Sequence, residues 1–322
     1  MSARLTAPLS TVTDDRWVLP ALATVYVVWG STYLAMRVAV EGLPPFFMAS
    51  SRFLASGLLL LLFLRARGSP WPSRREWVMA VPVGALMFAL GNGTVAVAEQ
   101  HLSSGVAAVV CGTMPLGVAA FGPLFGERAT PREWFALGVG FIGVGVLGLG
   151  GEVRGEPLSA LLLVIAPVSW ALGSLLARRL PLAKGLMSAA TQMVTGGAVM
   201  AFMSPLFGET VPTTAPVRSL LAWAYLAVFG SLVGFSAYTY LLRHTRPAVA
   251  TSHSYVNPAL AVVLGAVLGG ERVGWETVLA VSLIIAATVM VVVARRAGRS
   301  GSPQRHPITS PSPITTTTTK TL

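Results

Sequence analysis

Ten apolar runs of about 20 residues, separated by short turns, constrain this chain more than any other feature, because a bilayer core of roughly 30 Å is crossed by a helix of that length. They lie at about 17–40, 45–64, 77–98, 103–125, 133–150, 157–180, 186–207, 219–242, 247–269 and 275–294. The turns between them are rich in Gly and Pro, as at Gly42 to Pro45, Gly155 to Pro157 and Pro212 to Pro216. Only 11% of the residues are charged and 54% are hydrophobic, whereas a soluble domain carries about 25% charge. Lipid is therefore the expected solvent. The predicted fold is an all-α integral membrane protein of ten transmembrane helices.

Several functional classes are excluded at this stage. The formal charge is +11, but the basic residues are scattered through short loops and the tail. Nucleic acid is not an expected partner. Cys111 is the sole cysteine, so neither a disulfide within the chain nor a cysteine-based zinc cluster can form. No P-loop, HExxH or GxSxG motif is present, so neither direct ATP drive nor membrane enzymology is expected. No cofactor and no metal are implied. The first run follows Asp14, Asp15 and Arg16 and is long enough to span, so it reads as a retained helix rather than a cleaved signal.

Loop charge sets the expected orientation, since Lys and Arg concentrate on the cytoplasmic side. With the N-terminus inside, eighteen basic residues fall inside and only Arg154, Arg218 and Arg272 outside. Both termini should then be cytoplasmic. Residues 1–16 form a cytoplasmic N-terminus, and 297–322, rich in Ser, Pro and Thr, an expected disordered tail.

The chain also repeats itself. Shifted by 143 residues, 91–126 lies over 234–269 without a gap: Gly91 meets Gly234, His101 meets His244, Pro115 meets Pro258 and Gly122 meets Gly265. Trp29-Gly30-Ser31 echoes Trp170 with Gly173-Ser174. Two units follow, 17–150 and 156–295, with five runs each. An odd number of spans makes the second unit enter from the opposite side, an inverted repeat as in secondary transporters, whose sites lie between repeats near the midplane.

On these residues the chain resembles a known family. Trp29 to Tyr33, Pro44-Pro45, Arg52-Phe53, Gly91-Asn92-Gly93, Ala98-Glu99-Gln100, Ser104 to Ala108, Trp170 to Ser174 and Tyr255 to Pro258 look like the EamA-domain proteins of the drug/metabolite transporter superfamily, most of all the YedA-type bacterial inner-membrane exporters. The resemblance covers about residues 17–295. It implies ten helices in two repeats, export of small metabolites or drugs, and residence in a bacterial inner membrane. The implied partners are a small-molecule substrate and the lipid bilayer, with protons as a candidate coupling ion, and the chain acting as monomer or homodimer. Import and lipid or glycolipid flipping stay open on the same fold.

Candidate pathway residues are the polar and aromatic side chains deep in the runs. In the ninth run Ser252 to Asn257 is polar, where the equivalent stretch of the fourth is apolar. Buried polar groups cost free energy unless satisfied, so His253, Tyr255 and Asn257 are expected at a cavity or a partner helix. His253 and Asn257 are four apart on one helix face, and histidine titrates near neutral pH. Trp29 and Tyr33 share a stripe with Arg37 and Glu41. Asn92, Trp170, Gln192 and Tyr238 complete the pathway set. Glu99, closing the third run, is a candidate for proton coupling beside His253. Arg52, inside the second run, is expected in a structural ion pair, with Glu41 or Glu99 on the same side of the membrane as its partner. Pro115 and Pro258 interrupt the helix ladder in mid-run and are either hinges or static kinks. Gly122/Gly126 and Gly265/Gly269 are GxxxG pairs expected to permit close packing.

Overall fold

The computed structural model describes residues 16–126, 130–245, 249 and 252–300. The proposed N-terminal segment before Arg16 and the tail beyond Ser300 lie outside the described residues. Among the described residues the structure is helical throughout. The principal helices are α1 Val18–Val40, α2 Pro45–Ala66, α3 Arg74–Ala98, α4 Ser104–Phe125, α5 Pro131–Leu147, α6 Pro157–Ala177, α7 Leu186–Leu206, α8 Val217–Leu241, α9 His253–Leu268 and α10 Trp275–Ser300. Seven of these, α1–α4 and α6–α8, are long and apolar enough to cross a membrane. His253–Leu268 and Trp275–Val291 are shorter apolar helices. The last helix runs to Ser300, past the boundary expected near Arg296, because nothing between Arg296 and Ser300 forbids helix.

Local chemistry explains the helix ends. α3 and α5 open with capping boxes: the Ser73 hydroxyl accepts from Glu76 N–H while the Glu76 carboxylate accepts from Ser73 N–H, and Thr130 and Glu133 do the same. Proline stands at the first position of α2, α5 and α6, where its missing N–H costs nothing. α4 is broken. Its first segment ends at Cys111 and the second starts at Met114, because Pro115 lacks the N–H that Cys111 would bond and its ring crowds that carbonyl. The neighbouring Gly112 carbonyl accepts from the Thr288 hydroxyl of α10 at 3.3 Å. Pro258, by contrast, lies within the continuous helix α9, and it packs against Gly112 at the break in α4.

Large apolar side chains such as Leu59, Phe63, Phe141, Ile142 and Phe202 point outward, as lipid requires and water would penalise. Packing pairs α2 with α7 and α5 with α10, while α1 rests on α8 and α9, and α6 on α3 and α4. Hydroxyls cross several of these seams: Ser56 donates to Ala227 O (2.9 Å), Thr195 to Ala80 O (3.1 Å) and Ser219 to Val38 O (2.9 Å). The two GxxxG pairs behave differently. Gly265 and Gly269 do serve close packing, against Glu271 and Leu34. Gly126 instead has φ 76° and caps the 3₁₀ turn that ends α4, a left-handed position suited to glycine.

Candidate functional site

A cavity of about 150 Å³ lies between α1, α2, α3 and α4 on one side and α6, α8 and α9 on the other. It sits where the two halves of the chain meet. Its walls are mostly aromatic and apolar, with Arg52, Asn92, His253, Ser254 and Asn257 as polar intrusions.

Two tryptophans shape it. Trp29 stands against Gly234, and Trp170 stands against Gly91, so closely that neither glycine has room for a Cβ. The glycines are the pair that the internal repeat superimposes, and the tryptophans echo each other at an offset of 141 residues, two short of that shift. Both glycines lie in or beside π-helical stretches, Ala85–Gly93 in α3 and Leu226–Val233 in α8. Such wide turns interrupt the regular ladder and recur at functional sites. Trp29 Nε1–H donates to the Gly230 carbonyl at 3.1 Å, inside the second stretch. Asn92 Nδ2 donates to the Met87 carbonyl at 3.2 Å, inside the first. The Trp29 ring is held edge-on by His253 and Phe235, with centroids 4.8 and 5.4 Å away, and Tyr238 leans on it at 5.2 Å.

A charged cluster closes the end of the bundle that carries Val40, Ala98 and Ser104. Arg37 Nε lies 3.7 Å from a Glu271 oxygen, and the Arg37 guanidinium also donates to the carbonyls of Glu99 and Leu102. The Glu271 carboxylate accepts from the N–H groups of Ser104 (2.8 Å) and Gly105 (3.1 Å), capping α4. Glu209 caps α2 in the same manner, accepting from Phe46 and Phe47 N–H and from the Ser204 hydroxyl. Glu99 lies beneath this layer, 1% exposed, and among the described residues neither carboxylate oxygen has a hydrogen-bond partner. At the opposite end of α1, Tyr26 and Ser252 hydroxyls meet at 2.5 Å and tie α1 to α9.

Of the residues named from the sequence, Trp29, Tyr33, Asn92, Trp170, His253, Asn257 and Pro258 line the cavity. Four expectations need correction. Gln192 faces its own helix, donating to the Ser188 hydroxyl at 2.8 Å, because α7 packs that face against α3. Tyr238 supports the Trp29 and His253 rings without forming the wall. Tyr255 also lies off the lining, on a different face of α9 from the residues that reach the cavity. The expected Arg52–Glu41 pair does not form: Glu41 meets Arg218 at 3.2 Å in an exposed contact, while Arg52 is buried in the cavity wall. Exposed pairs contribute about 0–1 kcal/mol. Glu41→Ala is accordingly expected to leave the thermal unfolding of the purified protein within about 0.5 kcal/mol of wild type; a larger loss would give the pair a role its exposure does not suggest.

Phe53 and Phe235 were missed as wall residues. Arg52 was noticed but assigned a carboxylate partner, Glu41 or Glu99. Its charge inside an apolar run was the signal, and a cavity beside it was the alternative destination.

An apolar exterior, a helical bundle and a polar-studded cavity between two halves define a multi-pass membrane transporter. The EamA-like transporter family matches residues 16–149 and again 157–293, and the chain belongs to this family. It is 43% identical over 276 residues to the inner membrane transporter YedA of Escherichia coli K12, covering 85% of this chain and 90% of that protein. The transporter YdeK of Bacillus subtilis is 28% identical over 84% of this chain and 94% of its own length, and protein PagO of Salmonella typhimurium 24% over 84% and 91%. A solved crystal structure superimposes with a TM-score of 0.59 at 22% identity, covering 87% of this chain and 98% of that one, a likeness of fold.

Proposed function

We propose that this protein is a secondary transporter that exports small amphipathic metabolites or drugs across a bacterial inner membrane. Its ten spans form two inverted five-helix repeats with both termini cytoplasmic. The observation that carries this is the cavity at the junction of the halves, walled by two tryptophans that echo each other between the halves. In this scheme α1–α5 and the second unit rock against each other around the cavity. The layer of Arg37, Glu271 and the α4 N-terminus is the periplasmic closure, and the buried Glu99 carboxylate below it is the proton-coupling group. His253, in the cavity wall, is the second candidate for proton exchange.

The test is the extracellular metabolite profile of cells overexpressing wild type, His253→Ala or Glu99→Gln at matched membrane levels. The expected outcome is a set of small molecules that accumulates outside with wild type alone, with each variant lowering export at least ~10-fold, as expected for loss of a group in direct use. Equal accumulation in all three strains would remove both residues from the mechanism. A second reading, lipid flipping, draws on a wider recess of about 740 Å³ beside the Pro44-Pro45 turn, whose wall includes the exposed Leu90 and Phe207. Movement of labelled lipid between leaflets of proteoliposomes distinguishes the two.

A further inference from the structure

The cavity holds two polar groups that the protein leaves incompletely satisfied. The first is the Arg52 guanidinium. It is 4% exposed, lies over the Phe53 ring at 4.4 Å, and extends toward the bare backbone of Gly230. A guanidinium has five N–H donors. Here Nε donates to the Ser231 hydroxyl at 3.2 Å, and among the described residues no carboxylate comes within 4.0 Å of Arg52. The described ion pairs are Arg37–Glu271 and Arg218–Glu41. The second group is the Asn257 amide oxygen, buried without a donor among the described residues, in a residue of α9 that lines the same cavity and is 7% exposed.

A cation buried against an aromatic ring calls for an anion, and an orphaned amide oxygen calls for a donor. The rest of the wall is mostly apolar and includes Trp29, Phe235 and Trp170. We propose that the cavity binds a small amphipathic carboxylate, its anionic end on Arg52, a hydroxyl or N–H on Asn257 Oδ1, and its apolar body against the tryptophans. Arg52 is then a substrate-binding residue that selects for charge, rather than a structural partner of Glu41 or Glu99. A planar fork matches a carboxylate with two parallel bonds, and the glycine at 230 gives the fork its space.

This rests on the transporter reading, and the experiment separates the two. Radiolabelled indole-3-propionate is bound to the full-length protein in detergent, with unlabelled indole-3-propionate, tryptamine and indole as competitors sharing one ring body. The anion should compete at least ~10-fold better than the neutral compound, and the cation should not compete, since like charge at a buried site is repelled. Arg52→Gln should lower affinity for the anion at least ~10-fold, with Arg52→Lys intermediate because it keeps the charge but loses the fork. Asn257→Leu should weaken indole-3-propionate several-fold and leave its N-methyl derivative unchanged, because only the parent carries the N–H. That comparison holds the test if Arg52→Gln fails to fold. Equal competition by anion and cation, failure of the anion to bind, or unchanged affinity in Arg52→Gln overturns the proposal. Uptake into proteoliposomes is measured in parallel. Arg52-dependent binding without flux supports the anion site while the transport reading fails. Flux of tryptamine or indole, with indole-3-propionate neither bound nor carried, overturns the anion site while transport stands.

Discussion

Glu271→Ala is expected to destabilise the purified protein more than any other single loop substitution. One carboxylate there satisfies two otherwise orphaned N–H groups at the start of α4 and pairs with Arg37 from α1. Its side chain is 8% exposed, so water does not replace what is lost. Removing a capping side chain costs about 0.5–2 kcal/mol, and Arg37, one-third exposed and still bonded to the Glu99 and Leu102 carbonyls, loses an ion pair that adds up to about 1 kcal/mol, for a total of about 1–3 kcal/mol. Glu271→Gln keeps one acceptor oxygen and loses the charge, so it should fall between. Thermal unfolding followed by tryptophan fluorescence in detergent would show an ordered series: wild type, Gln, Ala. If the alanine variant melts with wild type, the latch across α1, α4 and the α9–α10 turn contributes nothing to stability. The same logic applies to Glu209 on α2, with less at stake because no arginine depends on it.

Gly234→Ala is expected to reduce transport at least ~10-fold at matched membrane levels, a loss in keeping with about 1–3 kcal/mol of overpacking strain. The added methyl would occupy the space of the Trp29 indole. That ring cannot simply retreat. Its N–H is bonded to Gly230, and Phe235, Tyr238 and His253 pack around it. The strain is therefore delivered into the cavity wall. Gly91→Ala should act alike through Trp170. The double variant Gly234→Ala/Trp29→Phe should recover part of the lost transport, because the smaller ring vacates the space. Gly145→Ala in α5 is the control: nothing lies within 4 Å of its added carbon, and alanine is the better helix former by about 1 kcal/mol. Wild-type transport in Gly234→Ala would mean that the position of Trp29 does not matter to the pathway.

Much of the cavity was legible beforehand. Trp29 and Trp170 were visible as echoes between the halves, and His253 and Asn257 as polar residues where the other half is apolar. These signals are local or periodic, and they survive in one dimension. The sequence did not place Gln192 and Tyr255 relative to the cavity, because polarity within an apolar run says that a side chain needs a partner but not where the partner is. Gln192 found one a turn away on its own helix. Glu99 was read as the end of the third run, and the packing of α6, α2 and α1 against that end buried it.

Hydropathy and spacing determined the helical class and the two matched units, and the resemblance of short motifs pointed to the family, because each depends on residues near in sequence or on a near-constant offset between copies. The partners of the charges were decided only by tertiary structure. Arg52 faces a cavity rather than Glu41, Glu41 meets Arg218, and Glu271 reaches across 167 residues of chain to cap α4. A charge in a helix takes whichever partner the rotation and crossing of neighbouring helices bring within a few ångströms, and those angles are set by packing among side chains far apart in sequence.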